Sequence, residues 1–386
     1  MHLLKNRKSR STFIQIVFAV VVVLVVVGAI AEANYRMTQL GMISGFAFLS
    51  KSTGFQIGFS LVPFDPFDSY MRMIWVGILN SLFLGAIIIL FANVAGLVIA
   101  VFRISSNGVL NAIGTLYLET FRNIPLILQA LCWYAALTNM PPPKMAYSFL
   151  DSVFISARGI FVPSFNIDGQ WLAVVAAVLV VGILACAWVS TARRFKRVKR
   201  RGLLLGAIAA LTMIACAAIV SWARLPDAPF ISIPHLQGLN FRGGINVPPE
   251  LGALALAAGI YGSAYIAEII RAGFLSVGHG QVEAAKALGL TPWQVFSRVH
   301  LPLAFRAVLP TLINQYVWLF KATTVGIAVG FADFFSVISV SINQSGQTLE
   351  LIGILMAGFL IINNTLAFVL NRVNKAIALK GNQLRT

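Results

Sequence analysis

A run such as Phe13–Ala31, "FIQIVFAVVVVLVVVGAIA", leaves a chain few ways to fold. Its only polar side chain is Gln15, so a helix built from it has no face to offer water. In lipid, backbone N–H and C=O groups must pair within the segment itself, and a helix needs about 20 mostly apolar residues to cross. Eight segments meet that requirement, near 13–31, 74–102, 115–138, 171–190, 202–222, 251–270, 309–330 and 351–370. The composition agrees. The 386 residues are 59% hydrophobic and 11% charged, where a soluble domain carries about 25% charge. The expected fold is an all-α integral membrane protein of about eight transmembrane helices.

The formal net charge is +17, from 29 Lys and Arg against 12 Asp and Glu. Such an excess could serve nucleic acid, but its placement points elsewhere. Basic residues gather at Lys5, Arg7, Lys8 and Arg10, in "RRFKRVKR" (Arg193 to Arg200) with Arg201, and at Arg372, Lys375, Lys380 and Arg385. Acids such as Asp65, Asp68, Asp151, Asp168, Asp227 and Asp333 fall in the alternate loops. Eight crossings with both termini in the cytoplasm satisfy this distribution, and the basic loops then face anionic lipid, so no nucleic-acid role is expected. The first segment follows "KNRKSR" and is longer than the apolar core of a cleaved signal peptide, so it reads as a retained anchor. Residues 139–170 and 223–250 are rich in Pro, Gly and aromatics and are expected to cap the outer mouth. Cys132, Cys186 and Cys216 lie inside apolar runs and read as small fillers.

The sixth and seventh segments are separated by a cytoplasmic stretch containing "EAAKALGLTPWQVFSRVHLP". Residues 281–288 are helix formers, and Gly289 supplies a stop. Thr291, Pro292 and Gln294 form an N-cap, a first-turn proline and a capping-box partner. The pattern predicts helix, tight turn, helix. It suits either an amphipathic element resting on headgroups or a knob that docks into another protein.

The residues Glu283, Ala284, Ala285, Gly289, Val299, Leu301 and Pro302 fall on the spacing EAA, three residues, Gly, nine residues, Ile or Val, one residue, Leu-Pro. This resembles the EAA loop of bacterial ABC-importer permeases. "GILNSLFLGAIIILFANVAGLVIAVFRISSNGVLNAIGTLYLETFRNIPLILQ" from Gly77 and "YGSAYIAEIIRAGFLSVGHGQVEAAKALG" from Tyr261 are similar to the polar-amino-acid branch of that family. The long anchor and the insertion resemble the general L-amino-acid permease subunits.

The resemblance implies four regions. Residues 1–72 hold the N-terminus, anchor and a periplasmic segment; 73–139 form the first part of a five-helix permease core; 140–245 are an insertion with two extra helices; and 246–386 complete the core. It also implies an inner-membrane protein in which Glu283, Ala284, Ala285, Leu288, Gly289, Val299 and Pro302 couple to an ABC ATPase dimer. The other implied partners are a second, related permease subunit, a periplasmic amino-acid-binding protein and an L-amino acid as cargo. No phosphate loop of the form G-x-x-x-x-G-K-[ST] occurs in the chain, so ATP and Mg²⁺ belong on the partner ATPase and this chain is expected to bind no cofactor.

Ionisable groups at membrane depth mark functional candidates. Glu119 with Arg122 and Glu268 with Arg271 stand at i, i+3 and are expected to pair, and "NIP" (Asn123 to Pro125) suggests a helix break. Lys321 lies within the seventh segment in "NQYVWLFKATTVG", with Asn314, Gln315, Thr323 and Thr324 near it. It either meets the carboxylate of a passing amino acid or bonds a carbonyl or acid of a neighbouring helix. Related permeases often carry Lys-Asp-Thr-Ser here; Ala322 replaces the acid, which leaves amino-group recognition to the partner subunit or loosens selectivity. "SVISVSINQSGQ" (Ser336 to Gln347) reads as an outer polar loop, the alternative being a contact for the binding protein. The competing reading is an ion-coupled secondary amino-acid transporter, which needs coupling-ion sites at the midplane. An enzyme is not expected, since His2, His235, His279 and His300 form no H-E-x-x-H motif.

Overall fold

The computed structural model describes residues 7–39, 45–167, 201–224 and 229–377, with scattered helical positions between 171 and 189. Lys5, the Arg193–Arg200 cluster, Asp168, Asp227, Lys380, Arg385 and much of the fourth apolar segment lie outside the described residues.

Helix α1 (Arg7–Gln39) carries the anchor, and its most apolar stretch is unburied among the described residues. α2 (Tyr70–Ile104) starts where the Ser69 hydroxyl accepts from Arg72 N and runs 35 residues. α3 (Gly108–Asn123) is capped by Asn107, whose side chain accepts from Val109 N at 2.9 Å. α4 (Leu126–Thr138) follows a break at Ile124–Pro125, so the apolar segment at 115–138 is two short helices rather than one. Proline has no N–H to give and disfavours helical geometry in the residue before it, which accounts for the break.

Two more long helices complete the frame early in the second half: α5 (Arg201–Trp222) in the insertion and α6 (Pro249–Leu275) in the centre. Beyond α6 come α7 (His279–Ala287), α8 (Pro292–Val295), one π-turn (Phe296–His300) and α9 (Leu301–Lys321). α9 tightens into a 3₁₀ stretch at Ala322–Val329, and α10 (Phe334–Ser345) and α11 (Thr348–Ile377) follow. Among the described residues, five helices are long and apolar enough to cross a membrane. The segment Pro292–Val329 with Phe334–Ser345, bent by 47°, makes a sixth candidate. The difference from eight lies in the broken third segment and in the fourth, which falls largely outside the described residues.

α2 and α6 form the centre because both carry small residues where they meet. A Cβ on Gly96 would stand 2.8 Å from Ile266 Cγ2 and 3.1 Å from the Ser263 carbonyl, and one on Gly262 would stand 3.2 Å from Ala92 Cβ. Without a hydrophobic driving force between helices in lipid, such close approach and its dispersion contacts hold the pair. Leu84, Ile88, Leu254, Ile266, Leu312 and Leu319 fill the core between α2, α6 and α9.

The insertion differs from the all-α expectation. Short strands β1 (Tyr147–Phe149), β2 (Val153–Ser156), β3 (Gly159–Val162) and β8 (Ile245–Val247) form an antiparallel sheet in the order β1-β2-β3-β8. Two further strand pairs are β4 (Ser164–Phe165) with β5 (Ile231–Ser232), and β6 (His235–Gln237) with β7 (Asn240–Arg242). Pairing of β3 with β8 ties the two ends of the insertion together, and Phe161 buries against Phe241 beneath them. Gly244, at φ +65°, passes so close that a Cβ would lie 2.3 Å from the Val162 carbonyl. The Pro/Gly/aromatic segments are thus a small β cap. α6 joins it to the α7–α8 element at the opposite end.

The hydroxyl-rich run at 336–347 is not a loop either. Most of it is α10, capped by the buried Asp333, whose carboxylate accepts from Ser336 N at 2.9 Å. Ser341 and Ser345 spend their hydroxyls on carbonyls four residues back, which lets a polar sequence stay helical in an apolar setting.

Candidate coupling element and polar seam

The α7–α8 turn has the geometry its residues require. α7 ends with Leu288 N donating to the Ala284 carbonyl and Gly289 N to that of Lys286, and Gly289 adopts φ +77°. Leu290 N reaches back to Ala285 O at 3.3 Å, completing a Schellman-type stop. Thr291 Oγ1 then accepts from Gln294 N at 3.3 Å while Gln294 Oε1 accepts from Thr291 N at 3.0 Å, the reciprocal capping box. Both features are as the sequence predicted.

Ala285 and Val295, each 5% exposed, form the inner face of this element. Val299 and Pro302 are half-buried behind it, while Glu283, Ala284 and Gly289 are exposed. Leu288 and Trp293 stand out at 82% and 72% exposure. The element is fixed to the end of α6 through Phe274, which stacks on Phe296 at 5.8 Å and meets His300 edge-on at 5.3 Å. His300 Nε2 donates to the Phe274 carbonyl at 2.9 Å. The result is a knob tied to the end of α6, with Leu288 and Trp293 outward among exposed polar side chains such as Glu283 and Lys286.

From the knob, α9 leads directly into the polar seam. Asn314 and Lys321 are exposed, and Trp318, 39% exposed, stands between them; the spacing i, i+4, i+7 puts the three on one helix face. Lys321 sits where α9 tightens into the 3₁₀ stretch. Gln315 and Thr324 are half-buried, and Thr324 Oγ1 donates to the Lys321 carbonyl at 2.9 Å. Thr323 is fully buried and donates to Phe320 O at 2.9 Å, so its hydroxyl points away from the face that carries Lys321.

Of the two expected acid–base pairs, one forms. Arg271 binds Glu268 through two nitrogens, at 2.6 and 3.0 Å, and Arg103 from the end of α2 binds the same carboxylate. Arg103 was not singled out from the sequence, because its partner lies 165 residues away. Glu119 and Arg122 do not pair. α3 ends one residue after Arg122, and its guanidinium turns onto the Tyr265 ring, 4.9 Å from the centroid.

Sequence reasoning also missed Asn80 and Ser81, both fully buried in α2. Asn80 Nδ2 donates to Phe59 O and Ala332 O, each at 2.9 Å, and Ser81 Oγ accepts from Phe334 N at 2.9 Å. They satisfy backbone groups left open where the chain breaks between Val329 and Phe334. The available signal was two adjacent polar residues within an apolar run.

A frame of long apolar helices with a capped and exposed knob at one end is that of a multi-pass membrane protein. The comparisons give its family. Residues 92–377 match the family described as "Binding-protein-dependent transport system inner membrane component", and the chain belongs to it. It is an inner-membrane, multi-pass permease component and not an enzyme. It is 36% identical to the putative amino-acid ABC transporter permease protein YhdX of Escherichia coli K12, over 97% of this chain and 95% of that one. It is 34% identical to the general L-amino acid transport system permease protein AapQ of Rhizobium johnstonii, over 96% and 93% of the two chains. It is also 30% identical to the glutamate/glutamine/aspartate/asparagine transport system permease protein BztB of Rhodobacter capsulatus, over 98% and 96%.

Proposed function

We propose that this chain forms the translocation path of an ATP-driven importer for L-amino acids and couples to a separate ATPase through residues 283–302. The observation that carries the reading is the knob. Leu288 and Trp293 are held outward, at 82% and 72% exposure, by a glycine stop and a capping box, where an element resting on its own chain would turn them in. Glu283, Ala284 and Gly289 lie beside them on the exposed surface, suited to a groove in another protein.

The amino-acid cargo is supported by the full-length similarity to permeases named for it. A related second permease, an ATPase dimer holding ATP and Mg²⁺, and a periplasmic binding protein complete the assembly on this reading, with the knob and both termini in the cytoplasm. Lys321, with Asn314, Gln315 and Thr324, belongs to the path, whereas Thr323 holds the helix turn.

The test is co-purification of ATPase with the solubilised permease, with ATP-dependent amino-acid uptake in proteoliposomes, for wild type, Leu288→Asp and Glu283→Lys. Both residues are exposed, so the substitutions leave the core intact. Loss of ATPase and uptake from a folded permease is expected. Retention of both, or uptake driven by an ion gradient without ATP, refutes the coupling reading.

A further inference from the structure

Where α2, α6 and α9 converge near the knob, they leave a cavity of about 250 Å³. Val94 and Leu97 of α2, Ile270 and Phe274 of α6, and Leu301 and Phe305 of α9 line it. The polar side chain in its wall, Asn93, is already engaged: Nδ2 donates to the Ile89 carbonyl at 2.7 Å, and Oδ1 accepts from the Tyr316 hydroxyl at 2.6 Å. A ligand there meets apolar surface rather than hydrogen-bond partners. An apolar cavity of about 150 Å³ already stays dry and admits benzene, so this one has room for part of an aliphatic chain.

Its rim and depth narrow the ligand further. Val94, Leu97 and Phe305 are exposed at the opening, an edge better matched to hydrocarbon than to water. Arg103, with Glu268 and Arg271, marks the polar level near which α2 and α6 end. Leu97 and Val94 stand six and nine residues before Arg103, about 9 and 14 Å along the helix. That interval is the depth of one leaflet, half of a hydrocarbon core of about 30 Å. At the same end, one turn before Leu301, Arg298 is exposed and has no ion pair among the described residues. Side chains lean toward the N-terminus of their helix, so its guanidinium reaches away from the hydrocarbon, toward headgroup level.

Resting on the proposed cytoplasmic placement of the knob, we infer that this cavity seats one acyl chain of an anionic phospholipid from the cytoplasmic leaflet, with Arg298 on its phosphate. Arg298 and Phe305 are seven residues apart, about 10 Å along the helix, which a glycerol backbone and the first methylenes span. The anionic class is favoured because a choline headgroup would bring its own cation beside the guanidinium. Phe274 also stacks on Phe296 and meets His300 edge-on, so the seated chain packs against the ring that ties the knob to α6.

The experiment uses the whole complex in proteoliposomes that carry a photoactivatable diazirine on the acyl chain of either phosphatidylglycerol or phosphatidylcholine, with labelled peptides identified by mass spectrometry. Wild type should take the phosphatidylglycerol label on segments 93–97, 270–274 and 301–308. Its yield there should be about fivefold that of the phosphatidylcholine probe, the preference that one arginine gives at an anionic surface. Arg298→Gln should bring the two probes to equal yield. Val94→Trp, a change at the exposed rim, should lower both yields at these segments while label elsewhere on the chain, which reports random contact with lipid, stays as in wild type. Equal yields in wild type, or a preference that survives Arg298→Gln, overturns the lipid site. Cross-linking of this wall to the partner permease in place of lipid overturns it as well. The placement of the knob is tested apart from the lipid, with a membrane-impermeant maleimide on Leu288→Cys read against the parent chain. Reaction from the outer face of intact cells would refute the cytoplasmic placement, and the choice of leaflet with it, whatever the diazirine label shows.

Discussion

Gly289 offers a graded test of the knob. Its φ of +77° is left-handed, and a Cβ built there meets nothing within 4 Å. Any penalty for a side chain is therefore a backbone penalty, free of clash with neighbours. For alanine it is about 1–2 kcal/mol, for asparagine less, and for valine more, since branching at Cβ makes this region a true outlier. If the ATPase grips the formed turn, the strain is charged against binding. Alanine should then weaken ATPase affinity by up to about 5- to 30-fold, by the conversion of 1.4 kcal/mol per tenfold. Titrating purified ATPase against the permease in nanodiscs should give the order Gly, Asn, Ala, Val from tightest to weakest. Circular dichroism should stay constant, because α7 needs no side chain at that position. An order that follows side-chain size, with asparagine worse than alanine, would refute the backbone argument and point to direct crowding in the groove.

Four further outcomes follow from the same geometry. Lys321→Met should reduce amino-acid uptake while leaving the complex intact by size-exclusion chromatography; unchanged uptake would retire Lys321 from the path. Asn80→Leu strands the carbonyls of Phe59 and Ala332, and should destabilise the helix break by about 1–3 kcal/mol, read as faster thermal inactivation in detergent. Glu268→Gln leaves Arg103 and Arg271 uncompensated and should cost about 1–3 kcal/mol, less than a fully buried pair because all three groups keep some exposure; adding Arg103→Met should recover part of it, and simple additivity would argue against the pairing. Asp333→Ala removes the cap of α10 and should cost about 1 kcal/mol in thermal-inactivation assays, whereas Asp333→Asn, which can still accept from Ser336 N, should cost less.

The membrane class, the break at Asn123–Pro125 and the knob were legible in the sequence because each depends on local rules. Apolar length sets a span, proline interrupts a helix, and glycine with Thr-Pro-x-Gln sets a stop and a start. The β cap was not legible: its strands are two to four residues long and pair across a helical insertion, as β3 does with β8. The run at 336–347 was misread because serines favour loops until their hydroxyls find carbonyls in the same helix. Pairing of charges divided along the same line. Glu268–Arg271 could be read from spacing, but Arg103 joins through the fold, and Arg122 abandons its i, i+3 partner for a ring on α6.

The same distinction bears on how a pull on the knob would reach the seam. Helix runs without interruption from Pro292 through the π-turn and α9 to Lys321, and the 3₁₀ stretch carries it to Val329. Trp293 of the knob, Trp318 and Lys321 therefore share one continuous helix, which carries the π-turn and Pro310 within it and ends at Gly330. Asn80 and Ser81 hold the upper end to α2 through side-chain hydrogen bonds to Ala332 and Phe334, while Tyr261, on which Trp318 stacks, belongs to α6. On the proposed reading, a displacement of the knob would tilt this helix about its hydrogen bonds to α2 and slide Trp318 over Tyr261. On the proposed reading, that contact is where coupling and cargo meet. A disulfide between cysteines placed at Trp318 and Tyr261 should then stop uptake while leaving ATPase docking unchanged; transport at the wild-type rate with the bond closed would show that this contact stays fixed through the cycle.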